Sequence, residues 1–292
     1  MNKISFFLMG QKGYEVLKYM VTHHREAIDI VIASEDKSIQ KDFYKDIKNL
    51  CIKEEIQFFN RREKYIIKTD YAFAVAWRWL LYLEDVELII FHDSLLPKYR
   101  GFNPLVSCLL NKESEVGVSA LFASEKFDCG NVIGQTSVSV GYPITLQQAI
   151  DQVCKCYVTL VRDIVAKILS GEKILGQPQD EEEVTYSLWR DKEDYRIDWS
   201  KDSDYIERFV NALGFPYNGA SSLMNGRLVR VLGVEQLSDI EIENRGIGKV
   251  IFKQDGKPVV VCGEGLVKIN HLVENDTKES ILPLRRFRTR FK

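Results

Sequence analysis

The sequence predicts an α/β protein: a doubly wound, mostly parallel sheet followed by a smaller β-rich, barrel-like domain. Three observations predict it. Short apolar runs alternate with amphipathic helical stretches through residues 3–172, as in a sheet covered by helices on both faces. A polar, acidic segment without periodicity, GQPQDEEE (176–183), then interrupts the pattern. Beyond it come brief strands separated by Asn225-Gly226, Asp255-Gly256 and a Gly263–Gly265 turn, the punctuation of antiparallel hairpins.

Taken in order, KISFFLMG (3–10) is an apolar strand closed by Gly10, and the next residues carry helical spacing at Tyr14, Leu17, Met20 and Val21. MGQKG is only a GxxG, short of a phosphate-binding loop, so a tight strand-to-helix turn accounts for Gly10 and Gly13. IDIVIAS (28–34) is a strand buried on both faces. KDFYKDIKNLCIKEE is an amphipathic helix and IQFFN a short third strand. YAFAVAW (71–77), VELIIFH (86–92) and VGVSALFAS (116–124) are further strands, and FDCGNVIGQTSVSV turns into another. The stretch 143–172 is the longest helical pattern and is expected to close the first domain. After the linker, DSDYIERFVNALG is a short helix, and 219–226, 227–237, 246–256, 258–265 and 266–273 are strands. The domain boundaries expected are 1–178, a linker over 179–199, and 200–292.

Composition narrows the function. The chain has 292 residues, 45% hydrophobic and 28% charged, with net charge −2, which excludes a polyanion-binding field over the whole protein. Only the tail RRFRTRFK (285–292) is strongly basic, and it reads as a charged, solvated terminus. The six cysteines show no CxxC spacing, so neither a metal site nor a disulfide framework is expected. No apolar run suits a signal peptide or a membrane span, and a cytoplasmic location is expected. A homodimer is one expectation for the assembly.

The chemistry-bearing stretch is FHDSLLPKYRGFNP (91–104). In open α/β sheets ligands bind where loops leave the carboxyl ends of strands, and His92 stands there. Pro97 stiffens the loop and Gly101 opens a conformation other residues avoid. Asp128 falls in a second such loop, and a carboxylate beside an imidazole fixes its tautomer and stabilises its cation.

HDSLLPKYRG resembles the H-x-S-L-L-P-x-x-R-G signature of the formyltransferases that use formyltetrahydrofolate. FDCGNVIGQ resembles that family's D-x-G-x-x-x-x-Q segment. QPQ and TYSLW (177–179, 185–189) resemble its interdomain stretch, and 196–222 the start of its C-terminal domain. The resemblance implies a Rossmann-like formyltransferase domain, formyltetrahydrofolate as co-substrate and no metal. It implies His92 and Asp128 as catalytic residues, with Trp77, Trp79, Leu80 and Asp128 along the folate. The family's third catalytic residue is an asparagine two positions before the histidine, and here that position is Ile90. Isoleucine donates no hydrogen bond to an oxyanion. Tyr99, Asn103, Trp77 and backbone N–H groups are the substitute donors that the sequence offers.

Ser94 is expected to brace the loop, and Arg100 to salt-bridge locally or meet a substrate phosphate. The substrate side is assigned to Ser94, Arg100, Gly101, Tyr186, Trp189, Arg190 and Tyr195. Among the acceptors known for the family, a nucleotide-linked dideoxy amino hexose fits a compact, weakly acidic chain with an appended domain. Such a reaction belongs to cell-surface polysaccharide biosynthesis, with a nucleotide sugar as partner and neither nucleic acid nor membrane. The alternatives are a methionyl-tRNA formyltransferase-like enzyme and, because of Ile90, a non-catalytic folate- or nucleotide-binding homologue.

Overall fold

A computed structural model describes residues 2–292. The chain divides into two compact units: one holds the chain up to Cys108 with Ser114–Val140 and Gln148–Trp189, the other Leu109–Glu113, Gly141–Gln147 and Arg190–Lys292. Residues 179–189, read from the sequence as linker, are therefore built into the first unit.

The first unit begins with β1 (Ile4–Leu8), α1 (Gly10–His24), β2 (Ile28–Ala33), α2 (Tyr44–Lys53), β3 (Gln57–Asn60), β4 (Tyr71–Val75) and β5 (Glu87–His92). These strands pair in parallel in the order β3-β2-β1-β4-β5. After β6 (Arg100–Gly101) and α3 (Pro104–Leu110), β7 (Glu115–Phe122) and β8 (Val132–Ser139) extend the sheet antiparallel to seven strands. The long α4 (Leu146–Ser170) follows, and then β9 (Tyr186–Ser187), which pairs in parallel with β6. Every residue of β1 is buried, including Ser5, whose hydroxyl lies 2.9 Å from Thr69 Oγ1, as in a strand covered on both faces. A Cβ at Gly13 would lie 3.0 Å from the Leu8 Cβ, so glycine there lets α1 lie close on β1. No helix among the described residues is long and apolar enough to cross a membrane.

The second unit contains α5 (Ser203–Ala212), β10 (Ala220–Met224), β11 (Arg227–Leu237), β12 (Val250–Gln254), β13 (Lys257–Val261) and β14 (Leu266–Glu274). The strands form an antiparallel sheet ordered β10-β11-β14-β13-β12. Asn225 and Gly226 have φ of 50° and 86°, and Asp255 and Gly256 φ of 51° and 76°. Paired positive φ values define the two-residue hairpin turns that the sequence announced.

The basic tail is not the solvated terminus expected from its charge. Leu223 and Lys292 exchange N–H···O bonds of 2.8 and 3.0 Å, while Phe291 N donates to Gly248 O at 2.7 Å and Val250 N to Thr289 O at 3.0 Å. The last residues thus bridge the end of β10 on one side and the start of β12 on the other, linking the two edge strands of the sheet as a barrel does. Alternation reconciles the charge with the pairing: Thr289 and Phe291 are buried inside, and Arg288, Arg290 and Lys292 face outward. Trp199 packs its ring 5.6 Å from Phe291 and donates its indole N–H to Ser222 Oγ at 3.0 Å.

Removing the Phe291 side chain deletes a plug from this closure, and a buried Phe→Ala change typically costs about 3–5 kcal/mol. Phe291→Ala is expected to lower the denaturant midpoint of the transition that reports Trp199 fluorescence. An unchanged midpoint would show that the tail is dispensable to the barrel.

Candidate active site at the carboxyl end of β5

Side chains alternate along β5, so Leu88, Ile90 and His92 share one face. Leu88 belongs to a buried cluster with Phe7, Ile30, Ile32, Ala72 and Ala74, and Ile90 packs against it. The residue two before the histidine therefore completes an apolar surface and presents no donor. His92 follows where the strand ends, buried with 8% of its surface exposed.

Both imidazole nitrogens of His92 face acceptors. Nε2 lies 2.9 Å from Tyr99 O; a carbonyl only accepts, so Nε2 carries the proton in this contact. Nδ1 lies 3.4 Å from Asp128 Oδ1, while Asp128 Oδ2 accepts from Gly101 N–H at 2.8 Å. Asp128 has φ +55°, a left-handed conformation that few non-glycine residues adopt. Asp128 O and Gly130 O both accept from Gln179 Nε2, at 2.7 and 2.8 Å.

The loop between His92 and Gly101 is held by its own Ser94 and by Ser119 of β7 and Gln135 of β8. Ser94 Oγ donates to Lys98 O at 2.7 Å, Ser119 Oγ to Ser94 O at 2.6 Å, and Leu96 N to Ser119 Oγ at 2.9 Å. Gln135 Nε2 adds donations to Leu96 O and Ser119 Oγ at 2.8 and 2.7 Å. Ser94 is 1% exposed, and its hydroxyl is engaged by the main chain of its own loop.

Arg100 takes the local option too. It is 2% exposed, and its Nε and Nη2 donate to Gln179 Oε1 at 3.0 and 2.9 Å, its Nη1 and Nη2 to Glu181 at 3.2 and 2.8 Å. With its guanidinium engaged inside the protein, Arg100 is not placed to bind a substrate phosphate. The Arg100 hydrogen bond holds the Glu181 carboxyl below the usual carboxylate range. One residue past His92, Asp93 pairs with the Lys12 ammonium and accepts from the Tyr157 hydroxyl at 2.5 Å. Burial pushes the Tyr157 phenol well above its ordinary pKa, so it remains a donor.

The expected folate wall lies past β4. Trp77 packs its ring 5.2 Å from Phe7 and 5.2 Å from Trp79, and the Arg61 guanidinium stacks 4.0 Å over Trp79. The Trp77 Nε1–H is buried and has no acceptor among the described residues, whereas Leu80 is exposed. Tyr186 and Trp189 are exposed on the first unit. Arg190 and Tyr195 fall in the second, where the Tyr195 ring lies 6.0 Å from that of Tyr217. Gln179, Gln135, Thr185 and Lys12 escaped sequence reasoning. Three of them lie in motifs the sequence displays, Gln179 in QPQ, Gln135 as the last residue of D-x-G-x-x-x-x-Q and Thr185 at the head of TYSLW, but no role was assigned to them, and nothing local marks Lys12.

This site lies within a recognisable sequence class. The formyl transferase family model matches residues 75–157, and the model of the formyl transferase C-terminal domain matches 190–283. Together they cover more than half of the chain, which belongs to the formyl transferase family. A methionyl-tRNA formyltransferase of Fusobacterium nucleatum is 28% identical over 200 residues, 67% of this chain and 64% of that protein. The chain thus spans less than two thirds of that relative's length. The N-formyltransferase of Helicobacter canadensis, solved with folinic acid and dTDP-3-aminofucose, superposes with a TM-score of 0.67 at 17% identity, over 92% of this chain and 99% of that one. The sugar 3N-formyl transferase WlaRD, solved with dTDP and 5-N-formyl-THF, gives 0.66 at 19% identity, over 92% and 98%. These two likenesses are of fold.

A carboxyl with a lowered folded pKa contributes stability that is present above its unfolded value and lost as pH falls through the folded one. Glu181→Gln is therefore expected to flatten the acid limb of the stability profile, read as unfolding midpoint against pH from neutrality down through the carboxylate range. An identical profile would remove Glu181 from acid unfolding. Arg100→Met, which strips Gln179 and Glu181 of a charged donor, is expected to destabilise by roughly 2 kcal/mol, measured by denaturant unfolding.

Proposed function

We propose that the protein transfers a formyl group from formyltetrahydrofolate to the amine of a nucleotide-linked dideoxy amino sugar. The observation that carries this reading is the His92–Asp128 pair, 3.4 Å apart at the end of β5 in a braced loop. The buried, unpartnered Trp77 N–H beside the Trp79 and Phe7 rings suits a flat heteroaromatic ring bearing acceptors, so the residues fit the folate. That co-substrate supplies a formyl group on nitrogen, activated towards amines. Asp128 orients His92, whose ring stabilises negative charge at the formyl oxygen when protonated, or takes the amine proton when neutral and released from Tyr99 O.

The two sugar enzymes support the acceptor, because this chain and theirs cover one another almost completely. The curated tRNA relatives favour a second reading, with methionyl-tRNA as acceptor and the outward Arg288, Arg290 and Lys292 of the barrel as its footing. Ile90 favours a third, binding without turnover, because an oxyanion donor is typically worth about 3 kcal/mol.

Incubation with formyltetrahydrofolate and dTDP-linked 3- or 4-amino sugars is expected to consume the free amine. His92→Ala and Asp128→Asn are expected to slow the reaction by roughly a hundredfold or more. Ile90→Asn is expected to raise the rate, by up to about a hundredfold; an unchanged or lower rate means that another donor already serves. Ligand binding without transfer would establish the binding-only homologue. Changing Arg288, Arg290 and Lys292 together to Gln keeps the closing strand and separates the acceptors. Transfer to an amino sugar should persist, whereas a tRNA activity would fall and lose its salt dependence.

A further inference from the structure

One side-chain amide touches both loops that build the His92–Asp128 pair. Gln179 Nε2 donates to Asp128 O and Gly130 O at 2.7 and 2.8 Å, while its Oε1 accepts from Arg100 Nε and Nη2 at 3.0 and 2.9 Å. Two donors and two lone pairs exhaust the amide's hydrogen-bonding capacity, so it serves nothing but this junction. One end fixes the main chain of Asp128 where φ is +55°, a conformation that persists only when its surroundings enforce it. The other end fixes Arg100, whose neighbours are the two groups the pair needs: Tyr99 O, which accepts from His92 Nε2, and Gly101 N, which holds Asp128 Oδ2. The strap continues as Thr185, whose Oγ1 accepts from Tyr99 N at 2.8 Å and whose O accepts from Arg100 N at 2.9 Å.

We propose that Gln179 is a positioning residue for formyl transfer, holding Asp128 directly and the Tyr99–Gly101 segment through Arg100 in register with His92. The inference rests on the formyl-transfer reading given above. The charged groups around the pair are Arg100 with Glu181, and Lys12 with Asp93 beside His92. Glu181 bonds Arg100 without touching the Asp128 turn, so it separates a local role from general support of the arginine.

Gln179→Leu cuts both ends of the clamp; Gln179→Glu keeps an acceptor for Arg100 but loses the two donations. Misplacement of a catalytic group by about 1 Å can cost 10²-fold in rate. Both variants are therefore expected to lower kcat by roughly tenfold to a hundredfold, with KM for the amino sugar changed less than about twofold. Glu181→Gln is expected to leave kcat as it is. The activity-independent reading is the His92 Nε2–H resonance, which should shift and exchange faster with water in both Gln179 variants and not in Glu181→Gln. Unchanged kcat and an unchanged His92 signal in Gln179→Leu would overturn the inference, and so would an equal loss in Glu181→Gln. If Gln179→Leu fails to fold, Gln179→Glu decides by the same criteria. A wild-type protein that transfers no formyl group sinks the functional reading, and the His92 resonance alone then decides the role of Gln179.

Discussion

The hydrogen bond from Gly101 N to the Asp128 carboxylate, 2.8 Å long, constrains the first unit more than its size suggests. For that N–H to point at Asp128, Gly101 takes φ +105°, and a Cβ there would stand 2.5 Å from Ser187 O. Only glycine fits, because the φ and the close approach each exclude a side chain. The same placement pairs β6 with β9, so the strap over 177–187, the loop from His92 and the turn at Asp128 are one hydrogen-bonded assembly. Arg100 and Gln179 fill its interior. A buried guanidinium would be costly alone; here its donors meet an amide and a carboxylate.

That assembly explains why the imidazole is fixed so tightly. Its two nitrogens lie between a carbonyl and a carboxylate, and neither acceptor belongs to the strand that carries it. The ring is thus oriented by groups of the protein itself. Ile90 stands against this picture. Its side chain joins the apolar cluster of Phe7, Ala72, Ala74 and Leu88, which favours the folded sheet and removes a donor from the face that His92 shares. Of the side chains the sequence offered as substitutes, Tyr99 and Asn103 already have partners, and Trp77 alone brings a buried N–H without an acceptor among the described residues.

The second unit solves a different problem with the same economy of residues. A five-stranded sheet leaves two edges with unpaired N–H and C=O groups. The final residues bridge part of each, pairing with Leu223 and Asn225 on one side and Gly248 and Val250 on the other. The period of two sends apolar Phe291 inward and the cations outward, so one segment supplies both a plug and a charged outer face.

The sequence by itself determined the class of both units, since continuous apolar runs with helical stretches between them leave little but a covered parallel sheet. It determined the hairpins as well, because Asn-Gly and Asp-Gly are among the few pairs that adopt positive φ twice in succession. His92, Asp128 and the departure at Ile90 were legible because they lie in compact motifs. Tertiary structure alone decided what joins them. Gln179 is 51 residues from Asp128 and Thr185 86 residues from Tyr99 along the chain, and no local pattern encodes contacts over such separations. The fate of the tail was also decided there. Charge predicts exposure only for a residue's own side chain, whereas pairing depends on which strand edges remain open once the rest of the chain has folded.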